Sequence, residues 1–310
     1  MIMCTACKRR ESFFFRAYSG EKLCKRCFCL SIEKKVQRTI SKYKMFEPDD
    51  RIAIAVSGGK DSVSLLHIMA KIEKSFPKAS LSAVMVDEGI EGYRDEAIRI
   101  AIKNCEELGV NYVTVSFKDL YGYTLDDIVN MTKDEGLTPC SYCGILRRRA
   151  INIGAKLAKA DKIATAHNLD DETQTALLNI IHGDPTRILR VKPILAPVQP
   201  GLVQRVKPLC EILEREIALY AYIKKIEFQS IPCPYAGFAL RNDIRHFLNR
   251  LEEKHPGIKY TIYRSIEKFR TLLEELELKK KSLKNCRICG EPTTGEICQT
   301  CLILQKLKII

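Results

Sequence analysis

No apolar run in the 310 residues approaches the roughly 20 needed to cross a bilayer, so a membrane-spanning helix is excluded. The start, MIMCTACKRR, has no apolar stretch behind a basic one, and a signal peptide is not expected. There is no low-complexity tract, and the cysteine-rich ends are the only repeat. The glycine-rich stretch SGGKDS is not G-x4-G-K-[ST] and not G-x-G-x-x-G, so neither a Walker A loop nor a dinucleotide fingerprint is present. These absences leave a cytoplasmic, soluble protein with no membrane partner as the expectation. With 46% hydrophobic residues, the chain can bury a core as one large domain, or as a medium domain with small attachments.

Basic charge and cysteine are abundant. The formal net charge is +13, which favours a polyanionic partner, most simply nucleic acid; a solvated basic surface is the plain alternative. Of the 14 cysteines, eight stand as paired CxxC motifs at the two ends. Cys4, Cys7, Cys24 and Cys27 form one set; Cys286, Cys289, Cys298 and Cys301 form the other. Two close thiolate pairs can wrap one tetrahedral zinc, and cytosolic CxxC pairs more often bind metal or do redox chemistry than form structural disulfides. A full four-thiolate shell leaves no open position, so both sites read as structural zinc ribbons, two Zn2+ in all. Cys29 has no evident role, and Cys105 and Cys210 read as core thiols.

Between the ribbons, RIAIAV, LSAVMVD, NYVTVSF and KIATAH read as strands. SVSLLHIMAKIEKSF and RDEAIRIAIKNCEELG read as intervening helices, with SIEKKVQRTISKYKMF leading in. Alternation of this kind implies an α/β fold with a doubly wound parallel sheet. The expected divisions are a ribbon at 1–30, the α/β domain at 31–235, a helical extension at 236–282 and a second ribbon at 283–310. RNDIRHFLNRLEEKHPG and IEKFRTLLEELELKKK supply the extension, and KKKSLK links it to the last ribbon. His67 and His246 read as packed or exposed rather than as ligands. Lys259, Tyr260 and Tyr263 fit either RNA contacts or an ordinary surface helix.

At the end of the first predicted strand, Ala55 leads into Ser57-Gly58-Gly59-Lys60-Asp61-Ser62. A glycine turn feeding a helix places backbone N–H groups where they hold phosphate. The hydroxyls of Ser57 and Ser62 and the charge of Lys60 add to it. Asp87 ends the second strand, suiting ribose or adenine recognition or a cap. Asp170 and Asp171 lie where a strand feeds a helix; they read as N-caps or as carboxylates near Mg2+ and the nucleotide phosphates. His167 reads as a packing residue or as one whose main chain lies near the nucleotide.

Cys140 and Cys143 form a further CxxC with no second pair nearby, and Cys233 stands between Pro232 and Pro234. The prolines hold that loop extended. Three thiolates fit an iron–sulfur cluster with one open iron; a catalytic pair with a third thiol, or an inert set, are the other readings. Arg147, Arg148 and Arg149 follow on a predicted helix and cannot all face one way, so one or two reach phosphate and the rest are solvated.

SGGKDS resembles the loop of the PP-loop ATP pyrophosphatases. With VDEGIEGYRDEA, CSYCGILRRRA, TAHNLDDETQT and LCKRCFC, the chain resembles the cytosolic tRNA 2-thiolation enzymes from about residue 4 to residue 301. The wording is most like the wobble-uridine branch; members of the sister T-loop branch often carry histidine where this chain has Cys27. The resemblance implies ATP and Mg2+ at Ala55, Ser57 to Ser62, Asp87, His167 and Asp170. It also implies a [4Fe-4S] cluster on Cys140, Cys143 and Cys233 whose fourth iron carries sulfur, and a catalytic role for Asp171. Some relatives have a lysine at the position of Arg147; arginine stays protonated, leaving it an electrostatic role at most. The expected reaction adenylates O2 of uridine 34 in Lys, Glu and Gln tRNAs and replaces that oxygen with sulfur. The donor is a ubiquitin-like thiocarboxylate or sulfide, and the enzyme a homodimer. Uridine 54, a cytidine or a small carboxylate as substrate, or a non-catalytic zinc-ribbon nucleic-acid-binding protein, are the alternatives.

Overall fold

The computed structural model describes residues 2–132, 138–183, 185–189, 191–195, 202–236, 240–275, 284–307 and 309. In chain order the elements are β1 (Phe14–Arg16), β2 (Glu21–Leu23), α1 (Lys25–Tyr43), β3 (Arg51–Ala55), α2 (Lys60–Glu73), β4 (Ser80–Asp87), α3 (Arg94–Leu108) and β5 (Asn111–Ser116). Then come α4 (Phe117–Tyr121), α5 (Leu125–Met131), α6 (Pro139–Leu157), β6 (Lys162–Ala164), α7 (Leu169–Ile181), α8 (Pro185–Ile188), β7 (Ile194–Leu195) and β8 (Gln204–Val206). The last are α9 (Glu214–Lys224), α10 (Leu240–Lys254), α11 (Ile258–Glu275), β9 (Lys284–Asn285), β10 (Pro292–Thr293) and α12 (Gln299–Lys306).

Period-two alternation along β3 decides how the sheet is covered. Ile52 and Ile54 join a core with α1, α2 and α9, through Ile32, Val36, Val63, Leu66, Ile217 and Tyr220. Ala53 faces the other way, with Val84, Ala155 and Ile163, under α6. A Cβ on Gly154 would meet Val84 Cγ1 at 2.5 Å, so only glycine lets α6 lie this close. Helices on both faces make the sheet doubly wound. Its order is β5-β4-β3-β6-β8-β7 among the described residues. All neighbours are parallel except β7, which runs antiparallel to β8 at the edge. That departs from the all-parallel expectation, and an edge strand has only one neighbour to match.

The β1–β2 hairpin is antiparallel, and Cys4, Leu23, Cys24 and Phe28 are part of the main core. Helix α1 begins at Lys25, inside the second CxxC knuckle, rather than at Ser31. The second ribbon (β9, β10, α12) packs elsewhere: Ile303, Leu304 and Leu307 join Tyr121, Leu125, Tyr142 and Leu146 beside α6. Helices α10 and α11 pack on α7. Helix α11 starts at Ile258, earlier than the IEKFRT pattern, and most of the KKKSLK linker lies outside the described residues. No described helix is long and apolar enough to cross a membrane.

Candidate active site

The glycine turn lies between β3 and α2, at the C-terminal edge of the parallel strands, where ligands bind in open α/β sheets. Gly58 has φ +85°, and a Cβ there would meet Ala97 O at 2.3 Å. Gly59 is the N-cap of α2, which has no side-chain cap, so the N–H groups of its first turn remain for a ligand. Ser62 Oγ donates to Gly59 O (2.9 Å), accepts from Ser57 N (3.1 Å) and lies 3.1 Å from Ser57 Oγ. Lys60 Nζ reaches Glu214 Oε1 at 2.6 Å and Asp61 Oδ2 at 3.1 Å. Asp61 Oδ1 is buried without a hydrogen-bond partner. Burial, with the charges of Glu214 and Asp171 and against that of Lys60, pushes this carboxyl up to about 6.

Two braces tie the loop to the rest of the site. Gln229 N donates to Gly58 O (2.9 Å) and its Nε2 to Tyr93 O (2.6 Å), and the same segment continues to Cys233. Buried Arg94 donates to Ser57 O through Nη1 (2.7 Å) and to Val86 O through Nε (2.7 Å). It pairs with buried Glu88, Nε to Oε2 at 2.6 Å, and the other Glu88 oxygen lies 3.7 Å from Arg147 Nη1. An ion-pair chain thus runs from the phosphate loop to the helix of the third CxxC.

Cys140 and Cys143 sit in the first turn and a half of α6, after Pro139 in the opening turn. Cys140 Sγ donates to Tyr235 O at 3.4 Å, which places the Cys233 loop against it. Cys143 and Cys233 both pack on the apolar cluster of Tyr142 and Leu146. Burial pushes Cys143 up to about 11, against the charge of Arg147, and raises Cys233 as well. The three sulfurs do not form a mononuclear site: only the two terminal sets have all their ligand atoms within 4.8 Å of one another among the described residues. Three soft thiolates, apolar walls and a neighbouring guanidinium fit a polynuclear iron–sulfur centre, which spreads its ligands more widely than one zinc.

The terminal sets fit zinc closely. A tetrahedron with Zn–S near 2.3 Å sets sulfurs about 3.8 Å apart. Cys7 and Cys24 sulfurs are 4.0 Å apart, and those of Cys289 and Cys298 3.6 Å. Cys4 and Cys286 are each brought to about 6: burial raises them, but backbone N–H groups of the knuckles outweigh it. Burial and the neighbouring sulfurs push Cys27 up to about 12. Thiolates this crowded ionise together only around a cation.

The remaining candidates divide. Asp171 is the N3 residue of a capping box, its Oδ2 accepting from Asn168 N at 3.1 Å, while Oδ1 lies 3.5 Å from Arg241 Nη1. Asp170 is buried: Oδ2 accepts from Glu214 N (2.8 Å) and Oδ1 takes the ammonium of buried Lys259. Both its oxygens are committed within the protein, which weighs against its reading as a magnesium ligand. Asp87 ends β4 and its Oδ1 accepts from Gly89 N at 2.8 Å; Ala55 ends β3. His167 Nδ1 lies 2.9 Å from Thr165 Oγ1. The ring is exposed; desolvation by the surrounding protein, then the charges of Lys207, Arg241, Arg147 and Arg205, bring its pKa down to about 3. It therefore stays neutral.

Lys259 and Tyr263 correct the surface-helix reading: both are buried, and Tyr260 is held by Lys35 Nζ at 2.5 Å. Arg147 and Arg148 are exposed, and Arg149 is half-buried. His67 bonds Asn104 (2.8 Å) and His246 is exposed. Cys29, Cys105 and Cys210 are buried. Sequence reasoning missed Glu88, Arg94, Glu214 and Gln229. Glu88 adjoins Asp87, and Arg94 lies in the GYRD stretch, but their pairing across the site has no local signal.

Residues 30–252 match the family model of the PP-loop domain. The chain is 38% identical to a probable sulfurtransferase of Methanocaldococcus jannaschii, over 100% of this chain and 89% of the relative. It is 37% identical to cytoplasmic tRNA 2-thiolation protein 1 of Chlamydomonas reinhardtii, over 99% and 85%. Among solved structures it is similar to the U34-tRNA thiolase NcsA from Methanococcus maripaludis with its [4Fe-4S] cluster. The TM-score is 0.85 at 35% identity, covering 99% of this chain and 97% of that one. With the phosphate loop, the third CxxC and both ribbons in place, the chain belongs to the tRNA 2-thiolation family of PP-loop proteins.

Proposed function

We propose that this protein is an ATP-dependent tRNA sulfurtransferase that converts uridine 34 to 2-thiouridine. The observation that carries the reading is the chain Ser57 O–Arg94–Glu88–Arg147, which joins the glycine loop to the helix that carries Cys140 and Cys143. The relative whose structure is similar is a U34-tRNA thiolase, in keeping with that arrangement. The α2 N-terminus, Ser57, Ser62 and Lys60 hold the ATP phosphates, and Asp61 and Asp171 face the Mg2+. The target base leaves its stack to enter the cleft.

Uridine O2 attacks the α-phosphorus and the bond to pyrophosphate breaks. Sulfur at the sulfide level then adds to C2, the C2–O bond breaks, and the oxygen departs on AMP. The sulfide proton passes to pyrophosphate, and no electron is transferred overall. A [4Fe-4S] cluster on Cys140, Cys143 and Cys233, when bound, supplies a Lewis-acidic iron for the sulfide. Arg147, held by Glu88, offsets negative charge beside the thiolates but cannot shuttle a proton. His167 stays neutral among the cations. The partners in this reading are Lys, Glu and Gln tRNAs and a thiocarboxylate or sulfide donor, with a homodimer as the working assembly. Structural zinc fills both ribbons.

The test is anaerobic incubation with ATP, Mg2+, sulfide and unmodified Lys tRNA of UUU anticodon, with mass-spectrometric mapping. Sulfur at position 34, absent without ATP and absent in Cys233→Ala, is the expected result. Sulfur in the T-loop would move the site, and unchanged thiolation in Cys140→Ala, Cys143→Ala and Cys233→Ala alike would sink the cluster assignment.

A further inference from the structure

Arg205 lies on β8, in register with Ile163 of β6. Ile163 faces α6, and parallel partners point to the same side, so Arg205 extends beneath that helix. Its Nη2 donates to Arg148 O at 2.6 Å. The Arg148 side chain is exposed on α6, next to Arg147. Among the described residues, no carboxylate pairs with Arg148 or Arg205, in contrast to Arg16, Arg51, Arg94 and Arg287. Arg147 faces Cys143 and Cys233 and the 3.7 Å approach of Glu88, which Arg94 already neutralises.

Like charges have gathered here at a cost. Burial, and then Arg148, lower Arg205 to about 10, and burial, then Arg147, lower Arg148. Guanidinium groups crowded without a counter-charge need an anion from outside, and guanidinium forks match phosphate oxygens.

The position separates this cluster from the nucleotide phosphates. In the order β3-β6-β8, Arg205 is two strands from β3, about 10 Å at ordinary strand spacing. Arg148 is five residues past Cys143, about 7–8 Å along the helix axis. The row of cations therefore leads away from the cysteine pocket along the α6–β8 flank. Arg147 and Arg205 both act on His167, so the row runs near that ring.

We propose that Arg148 and Arg205, continuing from Arg147, form a phosphodiester-binding track that holds the RNA backbone next to the nucleotide being modified. The inference rests on the tRNA reading above and names where the substrate backbone lies. It takes single-stranded RNA phosphates as its ligand, not the triphosphate of ATP.

The experiment is fluorescence anisotropy of a labelled anticodon stem-loop against the full chain, titrated with salt, for wild type, Arg148→Ala, Arg205→Ala and Arg205→Lys. Each alanine variant should weaken RNA binding about 5- to 10-fold at low salt. It should also flatten the log–log salt slope by about 0.7 for each phosphate no longer neutralised. Arg205→Lys should restore most of the slope, and KM for ATP in pyrophosphate release should not move. Unchanged RNA affinity and slope in both alanine variants would overturn the track. A raised KM for ATP with RNA binding intact would reassign the cluster to the nucleotide. Binding needs no turnover, so the two readings fail separately. Wild-type protein that binds RNA through these arginines but never thiolates it loses the reaction and keeps the track; failure to bind RNA loses both.

Discussion

At the residue scale, the structure separates carboxylates committed to the fold from those left for chemistry. Asp170 is bound by Lys259 and by Glu214 N, deep in the protein. Removing one member of a buried pair strands the other charge and costs about 3–5 kcal/mol. Lys259→Met should therefore lower the urea midpoint by that equivalent, and adding Asp170→Asn should recover part of it; an unmoved midpoint would show the pair to be incidental. Asp61 behaves differently, with one buried oxygen unpartnered and its folded pKa raised from 3.8 to about 6. Between those values the native state holds the extra proton, so this group's contribution to stability is present at acid pH and lost as pH rises through about 6. In the proposed reaction the ionised form is the one that meets Mg2+. Binding of Mg·ATP should consequently weaken about tenfold from pH 7 to pH 5, and Asp61→Asn should abolish that dependence. Isothermal titration at the two pH values decides it, and an equal slope in the variant would exclude Asp61.

At the element scale, the two ribbons look alike in sequence and are embedded differently. Cys4, Cys24 and Phe28 belong to the main core under the sheet, whereas α12 packs on the cluster that supports α6. Loss of the zinc proposed for the N-terminal set, as in Cys4→Ser, should lower the main unfolding transition, because binding energy at a structural site is folding energy. Cys301→Ser should leave that transition nearly in place and speed amide exchange along α6, which carries Cys140 and Cys143. Metal analysis should give about two zinc per wild-type chain and one in each variant. Equal loss of global stability in both would contradict the difference in packing. The same contrast shows what was legible. β3, β4 and β5 stand out as β-branched runs, and the CxxC spacing marks both ribbons, because each signal is local. β7 and β8 have only two and three residues, too few for a period to show. Helix α9 hides because its inward face carries Glu216, which is buried only because Arg16, 200 residues away in sequence, meets it at 2.6 Å. Lys259 escapes for the same reason: a lysine in a helical pattern reads as solvated until its distant partner is known.

At the scale of the whole molecule, the charge of +13 and the local cation track make separable contributions. Net charge acts at long range, steering a polyanion toward the protein, and is screened beyond about 8–10 Å at moderate salt. The Arg148–Arg205 track acts only at close range, once the RNA has docked. Association of full-length tRNA should therefore slow at least roughly tenfold between about 50 and 200 mM salt, while the Mg·ATP affinity, set inside the α2 loop, changes much less. Neutralising the track should raise the dissociation rate, since close charge pairs govern how long a complex lasts, and leave the association rate nearly as it was. Replacing an equal number of exposed lysines far from the cleft, such as Lys74 and Lys78, should do the reverse. Stopped-flow binding with the two double variants resolves the pair of rates. If both variants changed only the association rate, recognition would rest on bulk charge, and the cleft would have no privileged hold on the RNA backbone.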